Sequence, residues 1–185
     1  MQINSGLECK FAGFGAKLSL SDGAVIAGYA SLFGQADQGG DVVQQGAYGI
    51  SLKALAARGQ SVKMLWQHDP ARPIGVWDEV REDGRGLWVK GRILEATQAG
   101  REAIALVAAG AIDGLSIGYR TQRASKNDRG QRLLSELELW EVSLVTFPML
   151  ASARVAAKGE SHETDATLRE LAAVFEDARL ELARH

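Results

Sequence analysis

A serine or cysteine hydrolase working near neutral pH needs a histidine to accept the nucleophile's proton, and this chain has three. His162 falls in a polar stretch and His185 is the last residue, which leaves His68 as the candidate inside a segment with the pattern of a folded core. It ends the run Val62-Lys63-Met64-Leu65-Trp66-Gln67-His68, and counting by twos along a strand puts it on the face of Val62, Met64 and Trp66. His68 is either a general base or a structural histidine hydrogen-bonded at a strand end.

The serine that could use such a base is Ser116, in Gly114-Leu115-Ser116-Ile117-Gly118. The spacing is that of a nucleophile elbow, but an elbow needs a strand before the serine and a helix after it, and here the order is reversed. As a nucleophile, Ser116 would be displayed from a strand, with Gly114 and Gly118 letting backbone and substrate approach closely. The alternative is a small residue where the sheet passes near another element.

Glu141 is the third candidate. In Leu137-Glu138-Leu139-Trp140-Glu141-Val142-Ser143-Leu144-Val145, alternation places it with Leu137, Leu139, Val145 and Phe147, while Val142 and Leu144 make the other face apolar too. A carboxylate in such a strand must be paired. A salt bridge to an arginine and an orienting contact to His68 are both open. Asp37 and Asp41 flank Gly39-Gly40, but too few acidic ligands follow for a calcium loop. Cys9, the single cysteine, has no obvious base nearby and reads as an inert thiol.

Short strands punctuated by glycine must position these residues. Strands are expected at about Glu8 to Leu18, Ala24 to Phe33, Val62 to His68, Gly75 to Arg81 and Leu87 to Leu94, with turns at Asp22-Gly23 and Asp83-Gly84. A polar loop, Gly34 to Ala47, precedes a short helix around Ser51 to Arg58 that Gly59 ends. Thr97 caps a second helix with Ile104, Val107, Ala108 and Ala111 on one face. Leu115 to Gln122 follows as a strand whose less apolar face holds Ser116, and Arg132 to Phe147 is the longest strand, stopped by Pro148. The four tryptophans, Trp66, Trp77, Trp88 and Trp140, all fall on strands and read as core or groove lining. Lys158 to Asp165 is a polar linker, and Thr164 to Arg184 is a helix with a narrow seam of Leu168, Leu171, Phe175, Ala178 and Leu182. The pattern predicts an α+β fold with a mostly antiparallel core and a C-terminal amphipathic helix.

Composition narrows the function. Of 185 residues, 46% are apolar and 24% charged, the balance of an ordinary folded domain with a short appendage. A formal charge of −2 disfavours a dedicated nucleic-acid binder. One cysteine and three histidines exclude an intramolecular disulfide and a Cys/His zinc site, so a reducing compartment and no metal or cofactor are expected. Met1 to Lys10 has no basic segment leading into an apolar stretch, and no apolar run is long enough to span a bilayer, so neither secretion nor a membrane is expected.

Taken in order, several blocks resemble the prohead protease family of tailed phages, the enzymes that mature the capsid, which is similar in fold to the herpesvirus assembly protease. They are Gly28 to Phe33 (GYASLF), Gly40-Asp41-Val42-Val43 with Gly46-Ala47-Tyr48, Val62 to Pro70 (VKMLWQHDP), Pro73-Ile74-Gly75 and Gly86 to Gly91 (GLWVKG). The series continues through Gly110 to Tyr119 (GAIDGLSIGY) and Leu139 to Pro148 (LWEVSLVTFP), covering about Val25 to Val155. The resemblance implies a serine endopeptidase on a barrel-like β core with flanking helices, using Ser116 as nucleophile and His68 as base. Herpesvirus relatives supply a second histidine as third member, which this core lacks, and the resemblance points to Glu141 as its substitute. It also implies that the Gly34 to Gly46 loop and the strand ends near Arg72 to Trp77 rim the substrate groove. The expected partners are the major capsid protein with its scaffolding segment, and the protease itself, inside an immature capsid in the bacterial cytoplasm or in a gene transfer agent. Residues 1–157 would be the catalytic domain and 158–185 the linker and helix, through which the chain could form a homo-oligomer. The competing expectation is a non-catalytic scaffolding or capsid-assembly module on the same fold.

Overall fold

The computed structural model describes residues 8–11, 19–21, 24–37 and 39–146. The expected linker and C-terminal helix, the Asp22-Gly23 turn, and His162 and His185 lie outside them. Among the described residues nine strands and two helices follow one another as β1 (Glu8–Phe11), β2 (Ser19–Ser21), β3 (Val25–Leu32), β4 (Asp41–Val43), α1 (Gly49–Ala57), β5 (Lys63–Trp66), β6 (Asp69–Glu82), β7 (Gly86–Ile93), α2 (Gln98–Ala108), β8 (Gly114–Lys126) and β9 (Arg132–Val145). All nine strands belong to one sheet in the order β1-β8-β9-β5-β6-β7-β3-β2, with β4 pairing β9. The sheet curls into a half-barrel that brings β3 against β8.

Hairpins account for most of the sheet. Asp83 closes the β6–β7 hairpin by accepting the Arg85 and Gly86 amides on Oδ1 at 2.8 and 3.1 Å, the local side-chain-to-backbone bond that makes Asp a turn residue. Pairing is antiparallel except along one edge of β9, which pairs β4 through 132–134 and β5 through 141–144, both in parallel. Between those two pairings the edge is covered by the start of α1. The Leu137 amide donates to Ala47 O and the Leu139 amide to the buried Ser51 Oγ, each at 2.9 Å.

Both helices stop as their glycines require. After α1 the Gly59 and Gln60 amides return to Ala56 O and Leu55 O with Gly59 at φ 64°, and after α2 Gly110 and Ala111 do the same to Val107 O and Leu106 O with Gly110 at φ 70°. Thr97 caps α2, accepting the Gly100 amide at 3.0 Å. The helix buries Gly100, Ala103 and Val107, whereas Ala108 and Ala111 are exposed, so its inner face is rotated about the helix axis from the sequence expectation, which Val107 and the partly buried Ile104 share.

Ile26, Ile74, Leu87, Val89, Ile117 and Leu134 fill the interior of the curl. Each such side chain contributes about 1.5–3 kcal/mol by leaving water. Trp77, nearly buried, spans two strand spacings and donates its indole N–H to Val142 O at 3.2 Å, tying β6 to β9.

Candidate active site

Two strands, β8 and β9, and the turn between β5 and β6 deliver the three candidate side chains. Register pairs Ser116 with Ser143, Ile117 with Val142 and Gly118 with Glu141, but then Tyr119 with Leu139, so Trp140 is an extra residue bulged out of β9. On β8, Leu115, Ile117 and Tyr119 point to the core. Ser116 and Gly118 therefore lie on the opposite, outer face of the sheet, where they are nonetheless buried, and so do their partners Ser143 and Glu141. Here the structure corrects the alternation count. Glu141 does not share a face with Leu137 and Leu139, because the bulge moves every residue after it to the other side of the sheet.

His68 departs from simple counting as well. Strand β5 ends at Trp66, and Gln67 and His68 take left-handed backbone angles, φ 53° and 61°. This turn, not strand alternation, aims His68 away from the face of Met64 and Trp66 and over the outer face of β9. Such angles cost roughly 1–2 kcal/mol for each L-residue. Strand β9 holds the turn in place: Gln67 N–H donates to Leu144 O at 3.0 Å, Gln67 Nε2 to Thr146 Oγ1 at 2.6 Å, and His68 N–H to Ser143 Oγ at 3.1 Å.

The result is a continuous chain of short hydrogen bonds. Ser116 Oγ lies 2.6 Å from His68 Nε2, and His68 Nδ1 lies 2.5 Å from Glu141 Oε1. Ser143 Oγ donates to the other carboxylate oxygen, Oε2, also at 2.5 Å. Ser116 and Ser143 are fully buried and Glu141 nearly so, while the His68 side chain keeps 20% of its surface exposed. The pair His68–Glu141 is thus screened from bulk water on the carboxylate side and open on the imidazole side. Gly118 is required by this packing, since a Cβ there would sit 2.8 Å from Glu141 Cδ and 2.9 Å from Cγ. Chemically, the arrangement offers a hydroxyl whose proton can pass to an imidazole held in one tautomer by a carboxylate.

The remaining sequence candidates lie elsewhere. Asp41 is paired with Arg132 at 3.2 Å and its amide is held by Asp37 Oδ1. A groove of about 600 Å³ opens between α1 and β9, lined by Ile50, Ala54, Leu55, Lys63, Leu139 and Trp140 among others. Ser116, His68 and Glu141 do not line this groove, so it does not bear on the expected substrate rim of Gly34 to Gly46 and Arg72 to Trp77. Two neighbours of the three candidates, Gln67 and Ser143, carried no sequence signal, because a left-handed non-glycine turn and a residue whose facing is set by a strand bulge leave no periodic trace.

Comparison with known proteins agrees with this geometry at the level of family and fold. The chain is 31% identical over 156 residues to the prohead protease of Enterobacteria phage HK97, a match covering 81% of this chain and 64% of that protein. It is 30% identical over 104 residues to the capsid polyprotein of Pseudomonas phage PAJU2, covering 52% of this chain and 15% of that one. The chain therefore spans less than two thirds of the length of either relative. Among solved structures, the bacteriophage T4 capsid assembly protease superposes with a TM-score of 0.58 at 17% identity, over 77% of this chain and 98% of the other. Varicella-zoster virus protease matches more loosely, with a TM-score of 0.37 at 12% identity over 69% of this chain and 60% of that one. Residues 15–167 match the family described as Caudovirus prohead serine protease, most of the 185-residue chain, and the chain belongs to that family.

Proposed function

We propose that this chain is a serine endopeptidase that cleaves capsid and scaffold proteins while a phage-like procapsid matures, with Ser116 as nucleophile, His68 as general base and Glu141 as the group that orients His68. The observation that carries the proposal is the unbroken Ser116 Oγ–His68–Glu141 hydrogen-bond chain, at 2.6 and 2.5 Å. In the first step Ser116 Oγ attacks the scissile carbonyl carbon as its proton passes to His68 Nε2. The imidazolium gives that proton to the departing amine when the C–N bond breaks. Water, deprotonated by the same nitrogen, then releases the acyl group from Ser116. Throughout, Glu141 accepts from Nδ1–H, fixes the tautomer and stabilises the positive charge. No step calls on a metal or a cofactor.

By the same proposal the substrates are the scaffolding segment of the major capsid protein and the protease itself, inside the immature shell. Residues 1–157 act as the catalytic unit, and 158–185 as a linker and a helix for docking to scaffold or to a second copy. Co-expression with the capsid gene of the same phage, followed by mass mapping of new termini, tests it. New capsid termini are expected with the native chain and absent with Ser116→Ala. The same termini with Ser116→Ala would overturn the proposal.

A further inference from the structure

Ser143 occupies a place that proton transfer does not use, yet it touches both His68 and Glu141. Its hydroxyl accepts the His68 backbone amide at 3.1 Å and donates to Glu141 Oε2 at 2.5 Å. Glu141 Oε1 in turn meets His68 Nδ1, so backbone amide, serine hydroxyl, carboxylate and imidazole form a closed ring. The ring fastens a strained element, since His68 and the preceding Gln67 both sit at positive φ. Strained, non-glycine backbone at a site persists only where surrounding contacts over-determine it. Ser143 is fully buried, so loss of its hydroxyl would leave the part-buried His68 amide and a carboxylate oxygen each short of a partner.

Resting on the assignment of Ser116 as nucleophile, we infer that Ser143 is a positioning residue: one hydroxyl sets both the backbone turn that carries His68 and the rotamer of the carboxylate that orients its ring. The chemistry suits the task. A hydroxyl is the smallest neutral group that accepts and donates at once, and a side chain without the acceptor could not hold the amide. Neutrality also matters, because a charge here would disturb the carboxylate it serves. Backbone register makes Ser143 the partner of Ser116 across β8–β9 and of Leu65 across β5–β9, so the same residue faces the nucleophile's strand on one side and the base's strand on the other.

The full chain, treated with a small fluorophosphonate, provides the test, since labelling of the nucleophile reads its activation without a peptide substrate. Ser143→Ala should label roughly 10–100-fold more slowly, the loss expected when a reacting group is misplaced by a fraction of its productive geometry. Its melting temperature should fall because two polar groups lose their partner, with the chain still folded at the assay temperature, and Ser143→Thr, which keeps the hydroxyl, should recover most of the rate. The proton resonance of His68 Nδ1–H should move upfield or broaden in Ser143→Ala and return in Ser143→Thr. Native-rate labelling with an unmoved His68 resonance in Ser143→Ala would overturn the inference while leaving the assignment of the nucleophile intact. Equal labelling of Ser116→Ala and the native chain would instead overturn the nucleophile, and a slow Ser143→Ala whose rate Ser143→Thr fails to raise would show a role in packing and not in positioning.

Discussion

Glu141 binds His68 through one oxygen and Ser143 through the other, and its side chain is nearly buried, so its amide isostere tests charge with little change of shape. Glu141→Gln should lower kcat roughly 10²–10⁴-fold, as triad-acid replacements do, with little change in melting temperature. A purely structural carboxylate predicts the reverse, a large drop in melting temperature with kcat of the folded fraction nearly kept. Gly118→Ala reaches the same carboxylate from the other strand. The added methyl would push Glu141 out of line, so activity should fall strongly in a protein that still folds, and Gly118→Ala combined with Glu141→Gln should be little worse than Glu141→Gln alone. Ser116→Ala and His68→Ala should each abolish cleavage, and the double variant should match either single one, because residues acting as one proton-transfer unit fail together.

Among the elements, the bulge at Trp140 separates backbone count from side-chain identity. Trp140 is 42% exposed and stacks under Arg120 at 5.1 Å, so Trp140→Ala should leave fluorophosphonate labelling near the native rate. Deleting Trp140 should abolish labelling, since strand β9 would then carry Glu141 to the core side or slip its pairing with β8. The β6–β7 turn offers a pH test away from the site. Desolvation pushes the Asp83 carboxyl up, but bonds from the Arg85 amide, the Tyr29 hydroxyl, the Gly86 amide and Arg81 outweigh it and hold the group at about 2. A carboxyl depressed on folding contributes stability that is full above its unfolded value of about 3.9 and disappears as pH falls through the folded value. Asp83→Asn should therefore cost about 1–2 kcal/mol at pH 7, allowing for solvent screening, and the gap to the native chain should close between about pH 4 and pH 2 in urea melts.

These elements also show what a sequence can reveal. The hairpin at Asp83-Gly84, the Thr97 cap, and the ends of α1 and α2 at Gly59 and Gly110 are local chemistry, set by side chains within a few residues, and were legible. Ser116 on the less apolar face of its strand followed from alternation. The side of the sheet that Glu141 and His68 face was not legible. It depends on one unpaired residue at Trp140 and two left-handed residues at Gln67 and His68, none of which breaks the apolar pattern. Parallel pairing of β5 with β9 is equally silent, because its partners lie far apart in the chain.

At the scale of the whole molecule, the described residues contain no helix long and apolar enough to cross a membrane. A chain truncated after Lys158 should keep peptide hydrolysis near the native rate and lose incorporation into shells, as measured by sedimentation of assembled capsids. Unfolding of the truncated chain would show that the last segment belongs to the core. The sheet order adds a different consequence. Strand β9 is the last described strand in the chain, yet it sits between β8 and β5 and supplies both Glu141 and Ser143. A chain still leaving the ribosome therefore presents first the histidine and then the serine before the strand that aligns them exists. Ribosome-stalled chains of increasing length should stay silent towards fluorophosphonate until β9 has emerged, then respond in a single step. On the proposed function, synthesis itself is then the first safeguard of the capsid precursors, since a fragment that lacks β9 lacks the residues that align His68.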